Sequence, residues 1–119
     1  MKKLFLDKKY RGLNSNSFTG RKEGRQARKE LQLDQKDCDS ETYEIVLPVS
    51  TTSFNASFFL GLFYLSIEKL GTIAEFEKKY SFSYDDLEEE LRPFIAKDIK
   101  ESLRKAENEL QGSTGIDLK

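Results

Sequence analysis

Histidine is absent from this 119-residue sequence, and cysteine occurs only once. Without an imidazole the chain has no histidine base, no histidine metal ligand and no Ser-His-Asp triad. The single cysteine, Cys38, rules out a disulfide within the chain and fits a reducing compartment. These absences exclude catalysis by an imidazole and metal sites that depend on histidine, and we expect no metal or cofactor.

A long hydrophobic run is also missing. The most apolar stretch, residues 55–70, is 16 residues long and contains Glu68 and Lys69, whereas a helix needs about 20 apolar residues to cross a bilayer. At the N-terminus only residues 4–6 are apolar before Asp7, which is too few for a signal peptide. We expect a cytoplasmic protein that does not enter a membrane.

Positive charge is concentrated in the first quarter of the chain. Residues 1–30 hold ten Lys/Arg against three Asp/Glu, whereas residues 31–119 hold ten against eighteen. Cations along a helix can follow the phosphates of a nucleic acid, although a solvated helix face is the commoner explanation. Nucleic-acid binding is thus an alternative function, with these candidate residues: Arg21, Lys22, Arg25, Arg28 and Lys29.

These cations fall in a predicted helix over residues 21–32. It begins after Gly20, and only Ala27 and Leu31 give it an apolar stripe, which predicts a thin helix lying on the surface. Gly24 is expected to weaken it by about 1 kcal/mol relative to alanine. The acidic stretch that follows, residues 34–41, lacks the oxygen pattern and central glycine of a calcium loop, so we interpret it as a solvated connector.

The chain is organised around residues 43–71. Residues 45–47 are an apolar, β-branched run closed by Pro48, as is typical of a strand covered on both faces in a parallel sheet. A helix is predicted from Asn55, which can cap a free backbone N–H, to Leu70, with Gly71 in the following position that accepts a positive φ. Its apolar residues wrap most of its circumference, so we expect burial on more than one side. They are Phe58, Phe59, Leu60, Leu62, Phe63, Leu65, Ile67 and Leu70.

This stretch resembles the central motif of STAS domains, the sulfate-transporter and anti-sigma-factor-antagonist domains. The matching features are a strand ending in Leu-Pro-Val-Ser, then Asn55-Ala56-Ser57 and a helix containing Leu60-Gly61-Leu62. The Ser-Phe pair at the helix start makes the chain most similar to the divergent bacterial STAS-like family. In the order of elements, the similarity covers about residues 18–105.

The resemblance implies a non-enzymatic regulatory module that binds a partner protein, such as an ATP-binding switch kinase or ATPase. The contact it implies is the strand-to-helix loop, with Ser53, Asn55, Ser57 and Phe58 as partner-binding residues and Ser57 as a candidate phosphorylation site. The remaining alternative functions are a small inhibitor encoded by a mobile element and a small enzyme using Asp85 and Glu89. Whatever the function, the chain can form a homodimer.

The other periodic segments complete the prediction. They indicate a first strand at residues 4–6, a short helix at 73–79, a strand at 80–84 and a helical segment from Asp85 that is interrupted near Pro93. We predict one small α/β domain, residues 1–111, with a three- to five-stranded mixed sheet, packed helices and a long C-terminal helical segment. Residues 112–119 are predicted to be a flexible tail.

Overall fold

The fold is described by a computed structural model that covers residues 1–12 and 14–117, with side chains described as far as Gly112. The strands are β1 (Lys2–Phe5), β2 (Ser17–Phe18), β3 (Tyr43–Val46), β4 (Ser53–Phe54) and β5 (Tyr80–Ser83). The helices are α1 (Arg21–Glu30), α2 (Leu33–Lys36), α3 (Ala56–Leu70), α4 (Ile73–Lys79) and α5 (Arg92–Asp117). Short 3-10 turns cover Lys8–Tyr10 and Glu89–Leu91.

The main sheet has three strands in the order β1-β3-β5, and both pairings are parallel. The predicted α/β class is therefore confirmed, but the sheet is parallel rather than mixed. The reason is that a helical crossover separates each strand from the next one in this sheet: α1 and α2 lie between β1 and β3, and α3 and α4 lie between β3 and β5. A hairpin could have joined antiparallel strands, whereas parallel strands need such crossovers.

One face of this sheet carries the core. Leu4, Ile45 and Phe82 occupy equivalent register positions on neighbouring strands, so their side chains share a face. The rings of Phe59 and Phe63 on α3 lie 6.2 and 5.9 Å from the ring of Phe82. Helix α3 is therefore packed on this face, and the predicted central strand and central helix are both confirmed.

Both ends of α3 follow the predicted chemistry. The Asn55 side chain accepts a hydrogen bond from the backbone N–H of Ser57 at 2.7 Å, and Gly71 adopts a φ of 98° directly after the helix. That φ lies in the region that only glycine enters without strain. Seven residues of α3 are buried: Phe58, Phe59, Gly61, Leu62, Phe63, Ser66 and Ile67.

A second, two-stranded parallel sheet joins β2 to β4. Neither strand was predicted, because two residues are too few to show an alternating pattern. The pairing places Phe18 beside Phe54, and the ring of Phe18 also lies 4.9 Å from that of Phe58. The chain entering α1 is thus fixed to the chain entering α3.

Helix α1 packs tightly against α3, which corrects the prediction of a thin surface helix. A Cβ atom added to Gly24 would lie 2.3 Å from the carbonyl oxygen of Phe58, and one added to Gly61 would lie 2.2 Å from that of Arg21. The two backbones can approach this closely only because both positions lack a side chain. Gly24, read from the sequence as a weak point, is a contact point between the helices.

The C-terminal region contains the predicted break. The 3-10 turn Glu89–Leu91 precedes α5. Pro93 is the second residue of α5, where no N–H is needed for an intrahelical bond. Asp85 and Asp86 lie in a turn rather than in the first turns of a helix, which corrects the helix start predicted at Asp85. The predicted tail, 112–119, begins inside the last turns of α5, and Leu118 and Lys119 lie outside the described residues.

No single helix among the described residues is long and apolar enough to cross a membrane. Helices α3 and α4 reach the length and apolar composition of a membrane span only when they are counted together, and the chain bends by 108° between them. The inward side of α3 is occupied by the protein's own core.

Candidate functional site

The entry to α3, residues 53–58, contains the residues for which the STAS-like resemblance predicts contact with a partner. Ser53 shares a 2.7 Å hydrogen bond with the hydroxyl of Ser17 across the small sheet. Phe58, predicted as a partner-binding residue, has no exposed surface and packs among the rings of Phe18 and Phe54, so it offers a partner no contact in this structure. Asn55 and Ser57 are exposed, and Asn55 is the helix cap.

Carboxylates already lie beside this entry. The Asp98 carboxylate on α5 accepts a hydrogen bond from the backbone N–H of Phe54 at 3.0 Å. With Glu101 and Lys105 it lines a cavity of about 210 Å³ that also reaches Asn55. Because negative charge is present here and the Ser57 N–H is bound by Asn55, the loop presents few free donors to an anionic partner.

Arg28 lies inside the protein, unlike the other cations of α1. Its side chain is 7% exposed and contacts the Asp37 carboxylate at 2.6 Å and that of Asp34 at 2.7 Å. It also donates to the hydroxyl of Ser66 at 2.8 Å and to the carbonyl oxygen of Leu62 at 3.0 Å. Arg28, predicted as a phosphate contact, therefore has its guanidinium occupied by α3 and the connector in this structure.

Asp37 is the buried partner in this network, and its side chain has no exposed surface. It accepts hydrogen bonds from the hydroxyls of Ser66 at 2.7 Å and Tyr80 at 2.6 Å, as well as from Arg28. Burial, reinforced by the bond to Asp37, raises the pKa of Tyr80 far above its ordinary value. The acidic connector is therefore not simply a solvated loop, since Asp37 ties it to α1, α3 and β5.

A groove of about 720 Å³ runs between α1 and α3. One wall, on α1, carries cations, and the other, on α3, is largely apolar. The walls include Arg21, Arg25, Lys29, Leu60, Tyr64 and Leu65. Asp34, from the connector, and Glu109, from α5, also line it. We call this feature the basic groove.

The cationic wall is one ridge of α1. Arg21, Arg25 and Lys29 are spaced four residues apart, which places successive side chains about 6 Å from one another along a helix. Arg21 contacts Glu109 at 3.5 Å, whereas Arg25 and Lys29 form no ion pair with any described residue. Two of the three cations are therefore available to a ligand.

The apolar wall is one side of α3. Leu60 and Tyr64 are partly buried against the core, and Leu65 is 53% exposed. Sequence reasoning missed these three as site residues because a helix rich in apolar residues does not reveal which of them remain uncovered. The sequence signal for this wall was the four-residue spacing of Leu60 and Tyr64, which places them on one side of a helix as the same spacing does for the cations on α1.

The other predicted residues lie apart from this groove. Lys22 is exposed on α1 but does not line it. Asp85 and Glu89, the alternative acid–base pair, are both exposed near the start of α5. Among the described residues no cluster of three or more acidic or cysteine side chains could hold a metal ion.

Comparisons with models of known protein families, with curated proteins and with solved structures found no match for this chain.

Proposed function

We propose that this chain is a non-enzymatic regulatory module that binds an acidic segment of a protein in the basic groove. The observation that carries the proposal is the pairing of two walls: Arg25 and Lys29, which form no ion pair with a described residue, line the same groove as the exposed Leu65. A ligand that satisfies both walls must combine carboxylates with apolar side chains, and a protein segment does so.

Nucleic acid is the second candidate, and the spacing of Arg21, Arg25 and Lys29 favours it. The apolar wall formed by Leu60, Tyr64 and Leu65 counts against it, because the phosphates that the cations would bind offer these side chains no apolar partner. The groove also offers only two cations without an ion pair to a described residue, so the salt-dependent affinity from counterion release would be small. We therefore favour the protein ligand.

The STAS-like resemblance supports the same class of function and suggests an ATP-binding switch kinase or ATPase as the partner to test first. The contact that it implies is the α3 entry, where Asn55 and Ser57 are the exposed residues. Ser57 is the residue of that loop that we retain as a candidate contact and phosphorylation site. The groove and this loop are both built on α3, so a single partner can contact both.

The experiment is affinity capture from the native host, with captured proteins identified by mass spectrometry. Arg25→Glu/Lys29→Glu should abolish recovery of the true partner, because the cationic wall then repels an acidic segment. Lys22→Glu is the matched control, since it changes the same charge on the same helix outside the groove. Ser57→Ala and Ser57→Asp test the contribution of the α3 entry.

Nuclease treatment separates the two candidates. A partner that survives nuclease and is lost only in the groove variant supports the proposal. Recovery that disappears with nuclease would establish nucleic acid as the ligand and overturn it. Equal recovery by the wild type, the groove variant and Lys22→Glu would show that the groove is not a binding site.

A further inference from the structure

The chain itself carries an acidic segment with exposed apolar surface. Residues 85–94 contain five carboxylates and one arginine. Four of those carboxylates are exposed, namely Asp85, Asp86, Glu89 and Glu90, and so is Phe94, at 64%. The fifth, Glu88, is bound to the backbone N–H and hydroxyl of Ser50 at 2.9 and 3.0 Å. We call residues 85–94 the acidic segment.

The backbone of the acidic segment is fixed by burial and by hydrogen bonds. Leu87 is buried in the core, and the Arg92 guanidinium donates to the carbonyl oxygens of Leu87 at 3.1 Å and Asp85 at 3.3 Å. Glu88 adds its bonds to Ser50. The exposed carboxylates and Phe94 are therefore presented on an ordered turn, which lowers the entropy lost when they are bound.

The acidic segment and the basic groove complement each other in two respects. The groove has unpaired cations beside exposed Leu65, and the segment has exposed carboxylates beside exposed Phe94. Leu65 and Phe94 are two of the five large apolar side chains that the described structure leaves exposed. Burying both in one contact would remove apolar surface from water while the charges are neutralised.

The two features cannot meet within one molecule. Phe94 lies in the first turn of α5, and Glu109 of the same helix lines the groove and contacts Arg21. Fifteen residues of helix separate them, which is about 22 Å at 1.5 Å per residue. The acidic segment can reach only the groove of another copy.

We propose that the acidic segment of a second copy of this chain occupies the basic groove. The inference rests on the proposed function, since it names an occupant for the same groove. Arg25 and Lys29 pair with Glu89 and Glu90 of the second copy, and Phe94 packs against Leu65. When two copies lie antiparallel, each segment meets the other copy's groove, giving a closed two-fold dimer with two identical contacts.

Self-association also has a regulatory consequence. A groove filled by a second copy is closed to a partner protein, so the partner must displace the dimer. The fraction of free grooves then depends on the concentration of this chain and on ionic strength, which screens the exposed charges of the contact.

The test is a charge swap measured by light scattering coupled to size exclusion. The wild type should show twice the chain mass at low salt and should shift to the monomer as salt is raised. Arg25→Glu and Glu90→Lys should each be monomeric, because each places like charges opposite one another. Mixing these two variants should restore the dimer, since both contacts of the mixed pair then join opposite charges.

Lys22→Glu is the control and should dimerise as the wild type does, and far-ultraviolet circular dichroism should show that every variant is folded. A monomeric wild type at all concentrations, or a mixture that stays monomeric, would overturn the proposal. That failure is distinct from failure of the proposed function, because a partner can still be captured through the groove of a monomer. Self-association that the groove variants leave unchanged would likewise reject this contact.

Discussion

Arg25 and Arg28 lie three residues apart on α1, and their surroundings are opposite. Arg28 is enclosed by Asp37, Ser66 and the carbonyl oxygen of Leu62. Arg25 lines an open groove and forms no ion pair with a described residue. The same side chain therefore joins elements together on one face of the helix and remains available on the other. Composition alone does not distinguish the two roles.

The contrast extends along the whole helix. The inward face of α1 consists of Gly24, Ala27 and Arg28, which are buried, and its outward ridge presents Arg25 and Lys29. Substitutions on the inward face should change stability, and substitutions on the outward ridge should change binding. Each prediction below tests one side of that distinction, beginning with the largest expected effect.

Arg28→Met should cost about 3–5 kcal/mol of unfolding free energy, because it leaves the Asp37 carboxylate buried without its cation. Chemical denaturation followed by circular dichroism measures the loss. A double-mutant cycle with Asp37→Asn should give less than the sum of the two single losses, since the residues are in direct contact. Additive losses would show that the pair is not the source of the effect.

Gly24→Ala should cost about 1–3 kcal/mol, because the new methyl group would overlap the Phe58 carbonyl and push α1 away from α3. Gly112→Ala is the matched control. A Cβ atom at Gly112, within α5, meets nothing within 4 Å, so the change should be neutral or stabilising through helix propensity. Equal behaviour of the two variants in thermal melts would contradict the close approach of the helices.

The entry of α3 offers the same contrast on a smaller scale, since Asn55 is bonded within the fold and the Ser57 side chain is exposed. Asn55→Ala should cost about 1 kcal/mol through loss of the cap. Ser57→Ala should change stability by less than about 0.5 kcal/mol. A larger loss at Ser57 than at Asn55 would reverse our assignment of the cap.

Arg25→Ala should have the smallest effect on stability, within about 0.5 kcal/mol, because the side chain forms no ion pair with a described residue. Its effect should appear in binding instead, as weaker capture of the partner. Denaturation curves and capture from the same preparations separate these two quantities. A destabilisation comparable to that of Arg28→Met would show that the outward ridge also has a structural role.

Sequence reasoning was most successful where neighbouring residues determine the structure. Residues 43–83 contain β3, α3, α4 and β5, which were all predicted, and both the Asn55 cap and the glycine after α3 follow from local chemistry. Such features depend on backbone hydrogen bonds and φ values within a few residues. The α/β class followed from their order along the chain.

It failed where the deciding partner is distant in sequence. Gly24 seemed unfavourable because the backbone that needs its missing side chain is at Phe58, on another helix. Arg28 seemed solvated because the groups that bury it, Asp37 and Ser66, lie outside α1. Phe58 seemed available to a partner because the covering ring of Phe18 belongs to a two-residue strand. No local periodicity carries information on these pairings.

The parallel register of the main sheet determines when the domain can begin to fold. Lys2 pairs with Tyr43, and Tyr43 pairs with Tyr80, so neither pairing can start as a local hairpin. Each requires closure of a long loop first, which makes such sheets slow to form. During synthesis β1 therefore remains unpaired until β3 has been made, and the sheet is complete only after Ser83 has been added.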